Sequence, residues 1–337
     1  MHTVDVGSRP GARKKIDKRS WNYVLRSGLA GGIAGCAAKT AIAPLDRVKI
    51  LFQANNPEYE KYSGRWLGVW HAGRRIVYEQ GFFALFRGHS ATLLRIFPYA
   101  AIKYMTYDAL HLAFMPTSRD ETPARLFAAG SLSGVLSVFV TYPLELIRVR
   151  LAFDTKNTAH SGKFFDTVWR IYTEGNSGRR TFLERFPICK FYRGFSATVM
   201  GMVPYAGTSF LVFGKCKALL YALCLGQDTS GNPIDPPAHL PRFRMSRTMV
   251  DLSAGALAGA ISQTVAYPFE VIRRRQQVGG LLRPDRMIGL VDTARWIYAQ
   301  HGIRGFFVGL SIGYIKVVPM TAISFAVWSG MKRRLGI

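Results

Sequence analysis

Residues 44–53 read Pro-Leu-Asp-Arg-Val-Lys-Ile-Leu-Phe-Gln and close an apolar stretch long enough to cross a membrane. The stretch puts a proline, an acid (Asp46) and a base (Lys49) where charge is costly. The same arrangement returns as Pro143-Leu-Glu145-Leu-Ile-Arg148 and as Pro268-Phe-Glu270-Val-Ile-Arg273. Upstream of each proline lies a pair of glycines at GxxxG spacing: Gly31/Gly35, Gly130/Gly134 and Gly255/Gly259. Downstream come Phe86-Arg-Gly88, Tyr192-Arg-Gly194 and Phe307-Val-Gly309, and ten residues past those glycines stand Pro98, Pro204 and Pro319. Such repetition identifies a chain built from three copies of one unit.

Each unit reads as helix, polar linker, helix. The first helices are expected near 21–54, 122–155 and 246–279, the second near 87–114, 193–224 and 308–335, each long enough to span about 30 Å of hydrocarbon. The glycine pairs are expected to let helix backbones approach closely in lipid, and the internal prolines to kink the helices. Linker pieces such as 66–81 and 289–302 are amphipathic and suit the membrane interface. The expectation is an all-α membrane protein: six transmembrane helices in three pseudosymmetric repeats. The repeats run over 21–120, 121–225 and 245–337, with a Gly/Pro-rich connector at 226–244 and a basic, disordered lead-in at 1–20. A second insertion at 176–189 lengthens the middle linker.

The totals agree with this architecture. Lys and Arg number 45 against 20 Asp and Glu, a net charge of +25, in a chain that is 49% hydrophobic. A membrane protein with a wet, cationic interior satisfies both figures. Nucleic-acid binding would need those bases on a soluble face, whereas many fall inside or beside apolar spans. Cys36, Cys189, Cys216 and Cys224 have no metal-ligand spacing, and no nucleophile–base constellation stands out, so neither a metal, a cofactor nor an enzymatic activity is expected.

The pattern Pro-x-acid-x-x-base, followed by aromatic-x-Gly and repeated three times, resembles the mitochondrial carrier family over roughly residues 21–335. The resemblance implies a six-helix barrel in the mitochondrial inner membrane, with both termini on the intermembrane-space side, that exchanges anionic metabolites by alternating access. It also implies that Asp46–Arg148, Glu145–Arg273 and Glu270–Lys49 form a ring of inter-helix ion pairs closing the matrix side. In low dielectric a paired charge roughly breaks even where an unpaired one costs several kcal/mol, which suits a latch that must open. Gln53 and Gln277 would brace two of these pairs; the third brace position holds Ala152. On the cytosolic side only Asp108 supplies an acid, so one bridge, Asp108–Lys217, is expected there. Gly88, Gly194 and Gly309, at the starts of the second helices, are implied to hold cardiolipin at helix N-termini. A barrel closed by its own three repeats needs no second copy.

By the same resemblance, Arg95, Gly201 and Lys316 are the substrate contact points, with Lys39 and Lys103 adding to a cationic patch without matching acids. Lys103 could equally snorkel. Gly201-Met202 with Tyr205 matches the pair and tyrosine used for purine rings, although a glycine and a tyrosine in a tight helix also serve packing. The runs 39–53 and 267–280 look most like the coenzyme A branch, which includes the Graves disease carrier. Coenzyme A, or a relative such as adenosine 3′,5′-bisphosphate, is the expected cargo. An ATP-magnesium/phosphate or ADP/ATP carrier is the alternative, and a proton-leak or scaffold protein on the same fold is the alternative of a different class.

Overall fold

The computed structural model describes residues 21–65, 67–116, 121–155, 163–174, 186–225, 246–282 and 289–335. The lead-in at 1–20 and the connector at 226–244 lie outside them, as does most of the 176–189 insertion. Ten α-helices and several 3-10 turns make up the described chain, which contains no strand.

In the first unit α1 spans Trp21–Gln53, α2 Gly68–Gln80 and α3 His89–Phe114. The second contains α4 (Pro123–Phe153), α5 (Phe164–Thr173) and α6 (Phe195–Leu225); the third contains α7 (Arg247–Leu282), α8 (Leu290–His301), α9 (Leu310–Ile315) and α10 (Val317–Leu335). By length and apolarity alone four membrane spans stand out, at 26–53, 124–153, 187–224 and 303–335. The stretches of α3 and α7 are less apolar, with Arg95, Lys103 and Asp108 in the first and Asp251, Gln263 and Glu270 in the second.

Five long helices carry their proline without a break: Pro44, Pro98, Pro143, Pro204 and Pro268. The sixth differs from the expected single helix at 308–335. It is interrupted at Lys316, between α9 and α10. Pro319 has no N–H to offer the Ile315 carbonyl, so one bond is missing. Lys316 keeps right-handed helical backbone and Met320 N still donates to its carbonyl at 3.1 Å, so the interruption is a single residue and not a break in direction.

Long helices pack in a closed circuit, α3 on α4, α6 on α7 and α10 on α1. The buried core is concentrated at the linker end and built three times. Leu51, Ala72, Ile76 and Val149 make the first cluster, Leu146, Ile147 and Ile171 the second, Tyr267, Val271 and Ile297 the third. Each linker helix therefore plugs the foot of a long helix with one apolar face, while residues such as Trp70, Tyr78, Phe165 and Trp169 point outward. Outward apolar side chains on the long helices, among them Leu94, Met105, Leu211 and Val318, suit a lipid surround.

The GxxxG pairs do not behave as expected. A methyl group added at Gly31, Gly35, Gly130, Gly134, Gly255 or Gly259 would meet nothing within 4 Å, so these glycines bring no backbones together in this conformation. Gly31 and Gly35 line one cleft and Gly130 and Gly134 the central cavity instead. Close approach occurs elsewhere. Gly88, Gly194 and Gly309 sit in left-handed turns with φ of +83°, +83° and +81°, a region only glycine enters freely. An added methyl at Gly88 would stand 2.6 Å from the Arg148 carbonyl, and at Gly194 3.1 Å from the Arg273 carbonyl. Each glycine thus seats the start of a second helix against the next unit, beside that unit's ring base.

Candidate functional site

Each of the three prolines is followed two residues later by an acid on α1, α4 and α7, and the circular packing turns all three toward a common axis. Arg148 Nη2 lies 2.9 Å from Asp46 Oδ2, and Lys49 Nζ lies 2.8 Å from Glu270 Oε1. Arg273 is paired with Glu145. Asp46, Lys49 and Glu145 are buried, at 8%, 4% and 2% exposure. The ring pairs each helix with the next in the order the sequence implies.

The ring holds more cations than three. Glu145 also meets Arg95 Nη1 at 2.7 Å and Arg274 Nη1 at 3.2 Å. Asp46 also meets Lys316 Nζ at 2.9 Å. Arg95 and Lys316 were expected to stand without acids; in this conformation each is held by a ring carboxylate. Leaving them unpaired at that depth would cost more than sharing an acid already present. Arg274 was not singled out from the sequence: the run Arg273-Arg274-Arg275 shows three bases but not which of them faces the ring.

Gln53 and Gln277 each meet a tyrosine beside their corner, a partner the sequence reading missed. Gln53 Nε2 donates to Tyr267 Oη at 2.9 Å, and Gln277 Nε2 to Tyr142 Oη at 3.1 Å. Each tyrosine precedes a ring proline and in turn donates to the carbonyl ahead of a left-handed glycine, Tyr142 to Arg193 at 2.8 Å and Tyr267 to Val308 at 3.0 Å. The tyrosine's place in the first unit is taken by Ala43. Ala43 and Ala152, the residue at the third brace position, both line a small cleft beside Asp46 and Arg148. The missing glutamine and the missing tyrosine fall at the same corner. The Tyr-Pro pair, present twice and absent once, was the available signal.

Above the ring lies a cavity of about 1090 Å³. Lys49, Glu270, Arg273 and Lys316 line its floor, Gly201, Met202, Tyr205 and Gln263 its wall, and Tyr107, Leu126 and Phe210 its far end. A methyl group at Gly201 would stand 3.0 Å from the Phe269 Cβ, so this glycine also lets α6 lie close on α7. Lys39 lines a separate cleft between α1 and α10 and reaches Met320 Sδ at 3.7 Å. Arg95 approaches the ring from the side, its Nε donating to Thr141 Oγ1 at 3.3 Å. Lys103 is exposed and is not among the residues lining the cavity. At the opposite end Asp108 and Lys217 do not meet. Lys217 Nζ pairs with Asp251 Oδ1 at 3.0 Å, an acid the sequence reading passed over. Among the described residues no group of His, Cys, Asp and Glu could hold a metal ion.

The family model for mitochondrial carrier proteins matches residues 20–118, 119–222 and 245–337. The mitochondrial carrier protein LEU5 of Saccharomyces cerevisiae is 44% identical over 96% of this chain and 94% of its own length. The human solute carrier family 25 member 16 is 40% identical over 92% of this chain and 88% of its own. The maize mitochondrial carrier protein CoAc2 is 33% identical over 91% and 86%. With three matched repeats and relatives aligned almost end to end, the chain belongs to the mitochondrial carrier family and is a multi-pass transport protein of the inner membrane.

Proposed function

We propose that this carrier moves coenzyme A, or a related adenosine phosphate such as adenosine 3′,5′-bisphosphate, by alternating access. The observation that carries the reading is the double engagement of Arg95 and Lys316: two arms that suit a polyphosphate are parked on the acids of the floor. A phosphorylated guest entering the cavity offers these cations new partners. Taking them reduces what Glu145 and Asp46 have to hold the floor together, so binding is coupled to opening. The three corner pairs act as the matrix gate, Gln53 and Gln277 strengthen it through their tyrosines, and Asp108 with Lys217 contributes at the cytosolic end once the far side closes. Met202 and Tyr205 offer an apolar edge and an aromatic face to an adenine ring, and the cavity volume suits a ligand of that size. Lys39 and Lys103 extend the cationic field toward the mouth. Gly88, Gly194 and Gly309 place helix starts where cardiolipin phosphates would sit. One chain forms the whole barrel, with both termini in the intermembrane space.

The name of the maize relative and the cationic floor favour coenzyme A over the ATP-magnesium/phosphate alternative. The deciding experiment is uptake of labelled coenzyme A, AMP, ADP and ATP by liposomes containing the purified chain, each tried as internal counter-substrate. Uptake of ATP or ADP without uptake of coenzyme A would replace this reading with the alternative, and a proton leak without uptake of any of them would favour the scaffold or leak class.

A further inference from the structure

Each unit buries one arginine at the foot of its first helix. Arg150 and Arg275 stand at the same position, seven residues past the ring proline, and can be compared directly, while Arg47 stands three residues past its own. In the second unit Arg150, 1% exposed, has its guanidinium on Glu174, with Nη2 3.0 Å from Oε2, and Nε donates to the Gln277 carbonyl at 3.1 Å. Arg193 Nη1 reaches the same glutamate at 3.3 Å. In the first unit Arg47, also 1% exposed, donates to Gln80 Oε1 at 2.9 Å and to the carbonyls of Ala152 and Asp154 at 3.2 Å each. Both guanidinium groups are saturated by the protein.

The third unit breaks the rule. Arg275 is only 5% exposed, yet Nε, Nη1 and Nη2 all lack a hydrogen-bond partner. The position of Gln80 and Glu174, just before a glycine at the end of the linker segment, is held by His301. A second basic residue is gone as well, since Val308 stands where the other units have Arg87 and Arg193. Trp296 covers the guanidinium face, its ring centroid 5.0 Å away. Stacking satisfies the face of the group and leaves its in-plane N–H edges unanswered. The nearby acid Glu60 makes no ion pair with Arg275; it lies 3.7 Å from His301 Nε2 and is nearly half exposed.

A buried guanidinium with no counter-charge is expensive, and the fork of free N–H groups matches the oxygens of a tetrahedral anion. We propose that the foot of the third unit is an anion site in which Arg275, stacked on Trp296, binds one phosphate group. The site is separate from the transport cavity and replaces the acid that closes the same corner of the second unit. The phosphate comes either from a lipid headgroup or from the free anion, and the test separates the two.

The full-length chain in neutral detergent is melted in chloride, then with chloride replaced by inorganic phosphate at constant ionic strength, then with cardiolipin or phosphatidylcholine added. In chloride, Arg150→Met lowers the melting temperature, whereas Arg275→Met leaves it unchanged or raises it, because no hydrogen-bonded partner is lost and a methionine can keep the contact with the Trp296 ring. Phosphate or cardiolipin raises the melting temperature of the unaltered chain, and this increment shrinks in Arg275→Met. His301→Glu, which restores an acid at the position of Glu174, also diminishes the increment. A response to cardiolipin alone assigns the site to lipid, and a response to inorganic phosphate assigns it to the free anion. An equal increment in all three proteins, no increment in the unaltered chain, or an Arg275→Met variant as damaged in chloride as Arg150→Met overturns the proposal.

Discussion

Lys316 Nζ stands 2.9 Å from Asp46 Oδ1, on the opposite side of that carboxylate from Arg148, which takes Oδ2 at 2.9 Å. One carboxylate therefore serves a ring partner and a cavity cation at once. Lys316→Ala is expected to abolish uptake while leaving a folded chain, because Asp46 keeps Arg148. The accompanying loss of stability should be about 1–3 kcal/mol, the scale of a lost charged hydrogen bond, read from denaturation in detergent. Full uptake by this variant would remove Lys316 from the site.

The corners differ in how cleanly a charge swap can work. Glu270 meets only Lys49 among the described ion pairs, whereas Glu145 is shared by Arg95, Arg273 and Arg274. Lys49→Glu combined with Glu270→Lys should recover part of the transport that either single reversal loses. The same exchange at Glu145 and Arg273 should recover none, because an arginine at position 145 would face two others. Equal rescue at both corners would show that Arg95 and Arg274 do not act on Glu145.

The tyrosine–glutamine pairs make a graded prediction. Gln53→Ala and Gln277→Ala should each lower stability by about 1 kcal/mol, the usual worth of one buried hydrogen bond, and Tyr267→Phe by about 2 kcal/mol, since its hydroxyl both accepts from Gln53 and donates to Val308. Ala152→Gln alone has no tyrosine to meet; joined with Ala43→Tyr it should raise the melting temperature above that of either single variant and slow exchange. Unchanged exchange in the stiffened double variant would argue that these braces hold the fold and not the gate.

The glycine stripes supply a fourth test. A methyl group at Gly130 or Gly134 meets nothing within 4 Å, and both positions border a cavity of about 1090 Å³, so a leucine there is expected to leave the fold intact and the cargo still able to bind. If the opposite end closes by bringing these faces together, the leucine blocks that step. The expected outcome is retained ligand-induced stabilisation with lost transport; transport at the normal rate would exclude closure along this face.

Much of this was legible in the chain because triplication turns each motif into its own control. Pro44, Pro143 and Pro268 fixed the register of the three acids and the three bases, and the family resemblance supplied which acid meets Arg148, Arg273 and Lys49. What stayed hidden was every contact whose two halves lie on different repeats without a repeated spelling. Arg274 is one of three adjacent arginines, and only helix rotation decides that it faces Glu145 while Arg275 turns to Trp296. The pairing of Arg95 with Glu145 depends on how far α3 leans toward α4. The GxxxG pairs were misread because spacing reports that backbones are able to approach, not that they do so in a given conformation.

Pro319 leaves one rung of the backbone ladder empty beside Lys316, yet Lys316 N still bonds the Ile312 carbonyl and Met320 N the Lys316 carbonyl, so the strut stays continuous. The ammonium that grips Asp46 is therefore borne on an unbroken lever, and cargo pulling on it would move foot and head together.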